Sequence, residues 1–261
     1  MATVNAAANA ALESRRIAGA GTSADAWRAD AQLMAVPAID CTELIGAARR
    51  VVIVAPHPDD EVLACGGFLQ QLAERAIPVT VIAVTDGEAS HPGSATWTRS
   101  RLQEVRPDET MAALATLGLD EVPVTRLHLP DGGVAAREAE LAAALSALVG
   151  PGDLLLTTWR HDGHPDHEAT ARACATATAE CGAALVEAPI WGWHWSRPGD
   201  AAMPLGDARR LMLDDAELAR KRAALDCFES QLVTDPASGH DAILTRNTLE
   251  RLLNPFEMYF L

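Results

Sequence analysis

Between residues 50 and 190, short unbroken apolar runs alternate with longer segments in which apolar residues recur every three or four positions. Strand then helix, repeated, is the pattern of βαβ units, and those units build a parallel sheet. The runs at 50–55, 79–84, 124–129, 153–158 and 184–190 lack apolar–polar alternation, which suits strands covered on both faces. Helical spacing predicts helices over 61–75, 97–117, 135–149 and 167–181. Gly118, Gly150 and Gly182 each fall just past one of them, where a left-handed cap fits.

The expected fold is α/β: a Rossmann-like, doubly wound, mostly parallel sheet with helices on both faces. In the strand order 3-2-1-4-5, the first and fourth strands are neighbours whose crossovers leave to opposite sides, so a crevice opens between their carboxyl ends. With 261 residues, 49% of them hydrophobic, the chain can fill one large core. The expectation is a single domain over 46–261, with residues 1–45 as an N-terminal extension packed on it and a short helix at 24–33. After residue 195 the pattern loosens. It predicts a loop at 196–206, a strand at 210–213, a helix at 215–230 and a last helix at 245–253 leading to Glu257-Met258-Tyr259-Phe260.

A net charge of −15 disfavours nucleic acid, anionic membranes and polyphosphates as partners. The basic residues are scattered, and Arg220-Lys221-Arg222 reads as a solvated helix face. Five cysteines without a Cys-x-x-Cys pair read as free thiols in a reducing compartment, and no apolar run approaches the ~20 residues of a membrane span. The N-terminus lacks a basic start and an apolar core of signal-peptide type, so the expected location is the cytoplasm. A homo-oligomer is left open.

Two polar clusters sit where such a sheet keeps its chemistry. Pro56-His57-Pro58-Asp59-Asp60-Glu61 follows the first strand, and His161-Asp162-Gly163-His164-Pro165-Asp166-His167-Glu168 follows the fourth. A histidine and an aspartate three residues apart can hold one divalent ion, leaving the adjacent aspartate as a base. The alternative is that Asp59, Asp60 and Glu61 only cap the next helix. Capping must then explain two histidine-rich turns at one switch point, which favours the metal. Three protein ligands with a position left for water mark a catalytic site, and the dispersed thiols argue against a structural zinc. Two histidines and a carboxylate also suit Fe2+, so ligand type alone does not name the ion.

With these motifs the chain resembles the LmbE-like, PIG-L-type family of zinc-dependent de-N-acetylases, over about residues 48–232. The resemblance rests on the two clusters, on Thr85-Asp86-Gly87-Glu88, on Arg106-Pro107-Asp108-Glu109, on Pro130-Asp131-Gly132-Gly133 and on Ser230-Gln231. It implies that His57, Asp60 and His167 bind Zn2+, that Asp59 is the general base, and that His164, as imidazolium, supports the oxyanion. Either Asp59 or His164 then protonates the departing amine. Asp166 would orient a histidine from behind, and Arg106 and Asp131 would grip substrate hydroxyls or an anionic group, unless they are a helix-surface arginine and a turn aspartate. The implied activity is removal of an N-acetyl group from an amino sugar or glycoconjugate. Rival readings are a hydratase using the same metal site and a non-catalytic Rossmann-like binding module.

Other features carry less. Trp191, Trp193 and Trp195 would share one side of an extended segment, packing on a neighbour or stacking on a sugar. Trp159 and Arg160 would border the pocket, Trp159 as a substrate contact. His128 reads as a core histidine within a strand. His91, His161, His194 and His240 could approach from loops, His161 as an auxiliary metal or substrate contact. Cys65-Gly66-Gly67 is not a dinucleotide fingerprint.

Overall fold

All five apolar runs form strands, and the sheet they build is wider than expected. The computed structural model of the chain describes residues 15–235, 237–239 and 241–261; His240 and residues 1–14 lie outside these. In chain order come helices α1 (Ala24–Arg28) and α2 (Ala31–Met34), strand β1 (Ala38–Ile39) and helix α3 (Cys41–Ile45). Then β2 (Arg50–Ala55), α4 (Asp60–Glu74), β3 (Val79–Thr85), α5 (Arg99–Thr116), β4 (Val124–Leu129), α6 (Glu138–Leu148), β5 (Asp153–Thr158), α7 (Pro165–Cys181) and β6 (Ala184–Ala188) alternate as expected. The chain continues through α8 (Gly192–Trp195), β7 (Ala208–Met212), α9 (Asp215–Leu225), α10 (Glu229–Leu232), α11 (Arg246–Leu252) and β8 (Phe256–Phe260).

The sheet order is β1-β7-β8-β6-β5-β2-β3-β4. Strands β4-β3-β2-β5-β6 reproduce the doubly wound order, all parallel, with Val54 of β2 in register with Thr157 of β5. Alternate residues feed two cores. Val51, Ile53, Leu154 and Leu156 pack towards α4 and α5, while Val52, Val54 and Leu155 pack towards α6 and α7. Both faces are therefore covered, as unbroken apolar strands require.

Several expectations are corrected. The Glu257-Met258-Tyr259-Phe260 segment is no tail but a fully buried strand between β6 and β7, antiparallel to both. The N-terminal segment supplies the edge strand β1, parallel to β7, and Trp27 packs edge-on to Trp193 with ring centroids 5.1 Å apart. The segment around Trp193 is a helical turn, so Trp193 lies on a different side from Trp191 and Trp195 instead of all three sharing one. Gly118 and Gly182 take the left-handed conformation but Gly150 does not; its N–H caps back to Asp153 Oδ2. The expected helix over 215–230 is split into α9 and α10. His128 is exposed, because a register shift between β3 and β4 turns it outward with φ +54° to pair with Asp86 at 2.8 Å.

The basic triplet on α9 is not a uniformly solvated face either. Lys221 is buried and donates to Glu257 Oε1 at 2.6 Å and to the Leu63 carbonyl. Helix α4 breaks its ladder at Cys65 (φ −146°), and the Gly67 and Phe68 N–H groups donate to the Glu257 carboxylate at 2.7 and 2.8 Å. Tyr259 Oη donates to the same group. One buried acid on β8 thus caps the second half of α4 and neutralises Lys221.

Candidate metal centre

The carboxyl ends of β2 and β5 bring both clusters to one crevice. After β2 the chain turns at Pro56, whose carbonyl accepts from Thr85 N–H and Oγ1. The His57 N–H donates to Asp60 Oδ2 at 2.9 Å, a local turn that opens α4. Three donor atoms then converge. His57 Nδ1 lies 3.1 Å from Asp60 Oδ2, His167 Nε2 lies 3.2 Å from the same oxygen, and the two nitrogens are 3.3 Å apart. Tetrahedral ligands ~2.0–2.1 Å from a zinc-sized ion stand about that far from each other, so the residues fit a divalent metal.

The distal nitrogen of each histidine meets carboxylates. His167 Nδ1 is 2.8 Å from Asp162 Oδ2. Asp162 is fully buried and also accepts the N–H groups of Ile190, Trp191 and Gly192, which fixes it to the loop after β6. His57 Nε2 is shared between Asp131 Oδ1 at 3.3 Å and Asp166 Oδ2 at 3.4 Å. Asp166 is tied in turn to the β4 loop by the N–H groups of Gly132 and Val134. Such partners fix the ring orientation and tautomer of a ligating histidine.

The acids make this crevice a place that demands positive charge. Burial works against charge on His167, yet Asp60 and Asp162 hold it up at about 9. Burial also opposes charge on His57, and hydrogen bonds to Asp131, Asp166 and Asp60 overcome it, so His57 stands well above its ordinary value. Asp60 and Asp131, despite burial, are held well below the usual carboxylate range by those histidines.

Asp59 is set apart from its neighbour. Its backbone takes φ +122°, a region costly for a residue with a side chain, and its N–H donates to Glu61 Oε2 at 3.1 Å. Burial pushes its carboxyl up to about 8, against the pull of Arg106. Arg106 Nη2 donates to Asp59 Oδ2 at 2.9 Å and also to the Pro58 carbonyl, while Nη1 donates to the Gly87 carbonyl. The guanidinium lies so close to the Gly87 turn that a Cβ there would sit 1.8 Å from it. Arg106 is therefore no surface residue; it holds Asp59 and also lines the cavity. Glu61, a helix-starting residue by sequence, is buried beside Asp59, and burial pushes it up to about 7.

His164 stands at the N-cap of α7, its ring centroid 4.8 Å from that of His57 and 4.7 Å from that of His167. Its Nδ1 accepts from the Asp166 N–H at 3.3 Å, which places the proton of the neutral ring on Nε2. Burial first, and then His167 and His57 beside it, hold it well below the ordinary imidazole value. These surroundings disfavour the expected imidazolium. The turn before it needs Gly163, at φ +87°, because a Cβ would meet the Arg15 carbonyl at 2.6 Å.

Around these groups lies a cavity of about 320 Å³ lined by His57, Asp59, Asp60, Arg106, Asp131, His164 and His167, together with Ser90, Trp191, Gln231 and Leu244 among others. Trp159 is not among its walls. It is buried, stacked between Trp195 at 6.0 Å and Phe260 at 5.0 Å, so its expected contact with substrate is corrected to a packing role. His161 packs edge-on to Trp159, away from the donors. His194 binds Arg251 and the Ala18 carbonyl. Sequence reasoning gave no role to Asp162, although its place five residues before His167 in the same turn was a usable signal.

Residues 52–178 match the family model described as PIG-L, GlcNAc-PI de-N-acetylase. Over 189 residues the chain is 30% identical to the 1D-myo-inositol 2-acetamido-2-deoxy-alpha-D-glucopyranoside deacetylase of Mycolicibacterium gilvum, covering 61% of this chain and 63% of that one. Over 137 residues it is 28% identical to the probable N-acetyl-alpha-D-glucosaminyl L-malate deacetylase 2 of Bacillus cereus, covering 50% and 61%. The chain thus spans less than two thirds of the length of these curated relatives. Among solved structures, a deacetylase of the teicoplanin biosynthesis pathway shares the fold, with a TM-score of 0.63 at 20% identity over 81% of this chain and 96% of that one. Every donor and acid of the crevice lies within residues 52–178.

Proposed function

Residues 52–178 are a PIG-L (LmbE-like) family domain, and from that premise we propose that the protein is a metal-dependent amidohydrolase that removes the acetyl group from an N-acetylated amino sugar or glycoconjugate. The observation that carries this reading is the triangle of His57 Nδ1, Asp60 Oδ2 and His167 Nε2, with edges of 3.1–3.3 Å, and the Asp59 carboxylate, held by Arg106, in the same cavity. These three residues would hold Zn2+; Fe2+ suits the same donors. A divalent ion bound there supplies Lewis acidity, polarising a carbonyl and lowering the pKa of water toward ~7.

The chain's own groups divide the remaining work. Asp59, held by Arg106 and raised by its burial, accepts a proton from the attacking water as the oxygen bonds to the acyl carbon. His164, neutral with Nε2–H free to donate, supports the oxygen of the tetrahedral adduct. As the carbon–nitrogen bond breaks, Asp59 returns that proton to the nitrogen and the amine leaves, while the second proton of the water stays on the acetic acid and passes to solvent as acetate forms. Asp162, Asp166 and Asp131 keep the histidine rings in place throughout. The five cysteines are unpaired and no helix among the described residues is long and apolar enough to cross a membrane; the thiols support a reducing compartment, and we place the protein in the cytoplasm.

A panel of N-acetylated amino sugars and glycosides, assayed for amine release beside Asp59→Asn, tests the reading. The variant should bind metal as the wild type does while turnover falls about 10²–10⁴-fold. Full activity in the variant removes the base, and absence of metal binding by the wild type removes the whole reading.

A further inference from the structure

One peptide plane joins the two halves of the second cluster. On its carbonyl side is Asp162, whose carboxylate meets His167; on its N–H side is Gly163, followed directly by His164. Both ends of the plane are held. The Asp162 carbonyl accepts from the Trp195 indole Nε1–H at 2.8 Å, and the Gly163 N–H donates to Glu168 Oε1 at 3.1 Å. The same Glu168 oxygen accepts from Arg15 Nη1 at 2.8 Å, and the two side chains are only 15% and 18% exposed, so salt screens the pair weakly. A Cβ on Gly163 would meet the Arg15 carbonyl at 2.6 Å and Trp195 Nε1 at 2.9 Å, so the N-terminal segment and the end of α8 both lie directly against this plane. Arg15 and Trp195 stand outside residues 52–178.

The plane needs such holding. Gly163 has φ +87°, and beside a glycine at positive φ a peptide turns over easily, because no side chain blocks either orientation. Turning it would displace His164 more than His167, since the Asp162 carboxylate keeps the N–H groups of Ile190, Trp191 and Gly192. We propose, building on the amidohydrolase reading, that Arg15 is a positioning residue: through Glu168 it locks the Asp162–Gly163 peptide and so keeps the His164 ring in place for the oxygen of the adduct. The N-terminal segment then serves turnover as well as the fold.

The test compares Arg15→Met and Arg15→Lys with the wild type, each as the metal-loaded full chain. Without the guanidinium, amide exchange at Gly163, read by NMR, should quicken about ten-fold while exchange in β2 and β5 stays as in the wild type. On an N-acetylated amino sugar that the wild type turns over, kcat should fall about 10–100-fold. KM, and metal affinity read by competition with a chelator, should stay near those of the wild type. Arg15→Lys, which keeps a cation for Glu168, should recover most of both losses, and in a His164→Ala background Arg15→Met should lower kcat no further. Unchanged exchange at Gly163 overturns the proposal. So does a fall in kcat matched by an equal fall in metal affinity, or repeated in full in the His164→Ala background, either of which makes Arg15 a support of the fold at large. Release of no amine from any substrate overturns the amidohydrolase reading instead, and exchange at Gly163 still decides whether Arg15 locks the plane.

Discussion

At the scale of single residues, adjacent and chemically identical side chains take opposite characters from their surroundings. Asp60 faces two histidines and stays ionised; Asp59 faces burial and one guanidinium, and is pushed up to about 8. Removing that guanidinium takes away the largest influence that opposes burial. Arg106→Met should therefore move the acid limb of kcat/KM to higher pH, because a base with a raised pKa loses activity sooner as pH falls. An unmoved limb in the pH–rate profile would separate Arg106 from the base. His167, held at about 9, carries a proton that a metal must displace. Apparent metal affinity should therefore climb with pH from neutrality to about 9, and calorimetry in two buffers of different ionisation enthalpy should detect released protons. Asp162→Asn should weaken metal binding about 10–100-fold by loosening His167, read by competition with a chelator. The residues proposed as metal donors and base could be picked out because each cluster follows an apolar strand. The tasks of Arg106 and His164 could not. Both depend on backbone partners, Gly87 and Pro58 for one and the Asp166 N–H for the other, that no spacing in the sequence encodes.

At the scale of elements, α4 depends on a strand nearly two hundred residues away. The break at Cys65 frees two backbone donors in the interior, and Glu257 satisfies both while pairing with Lys221. Glu257→Gln leaves Lys221 buried without its counter-charge, and should cost about 3–5 kcal/mol in urea unfolding at unchanged slope. A loss below about 1 kcal/mol would mean that the pair is not needed to hold the kink. The βαβ core was readable because periodicity is local: a strand covered on both faces needs no knowledge of its neighbours to be uniformly apolar. Strands β8 and β1 were not. Glu257 interrupts the apolar pattern of β8 for a reason that lies on α4, and the two residues of β1 are too few to show any period.

At the scale of the whole molecule, the N-terminal segment is part of the fold and not a cover laid over it. Trp27 is buried against Trp193 with its Nε1–H donated to the Trp193 carbonyl, and Arg251 grips the carbonyls of Ala20 and Thr22. Trp27→Ala should lower stability by about 3–5 kcal/mol, measured as a shift in the urea midpoint; a shift of under 1 kcal/mol would return the segment to a peripheral role. Charge adds a second whole-molecule effect. At −15, the surface field repels anions at long range, so association of a strongly anionic glycoconjugate should quicken as added salt screens that field.

The place of β8 also sets an order of events during synthesis. In the finished sheet β7 reaches β6 only through β8. While the chain is growing, every other strand among the described residues leaves the ribosome first, and so do the residues proposed to hold the metal. Until β8 is made, β6 and β7 each lack the partner that it supplies in the folded sheet, and each has an edge open to other pairing. A chain stalled before Phe256 would have both edges open to a chaperone while already possessing the residues proposed to hold its metal.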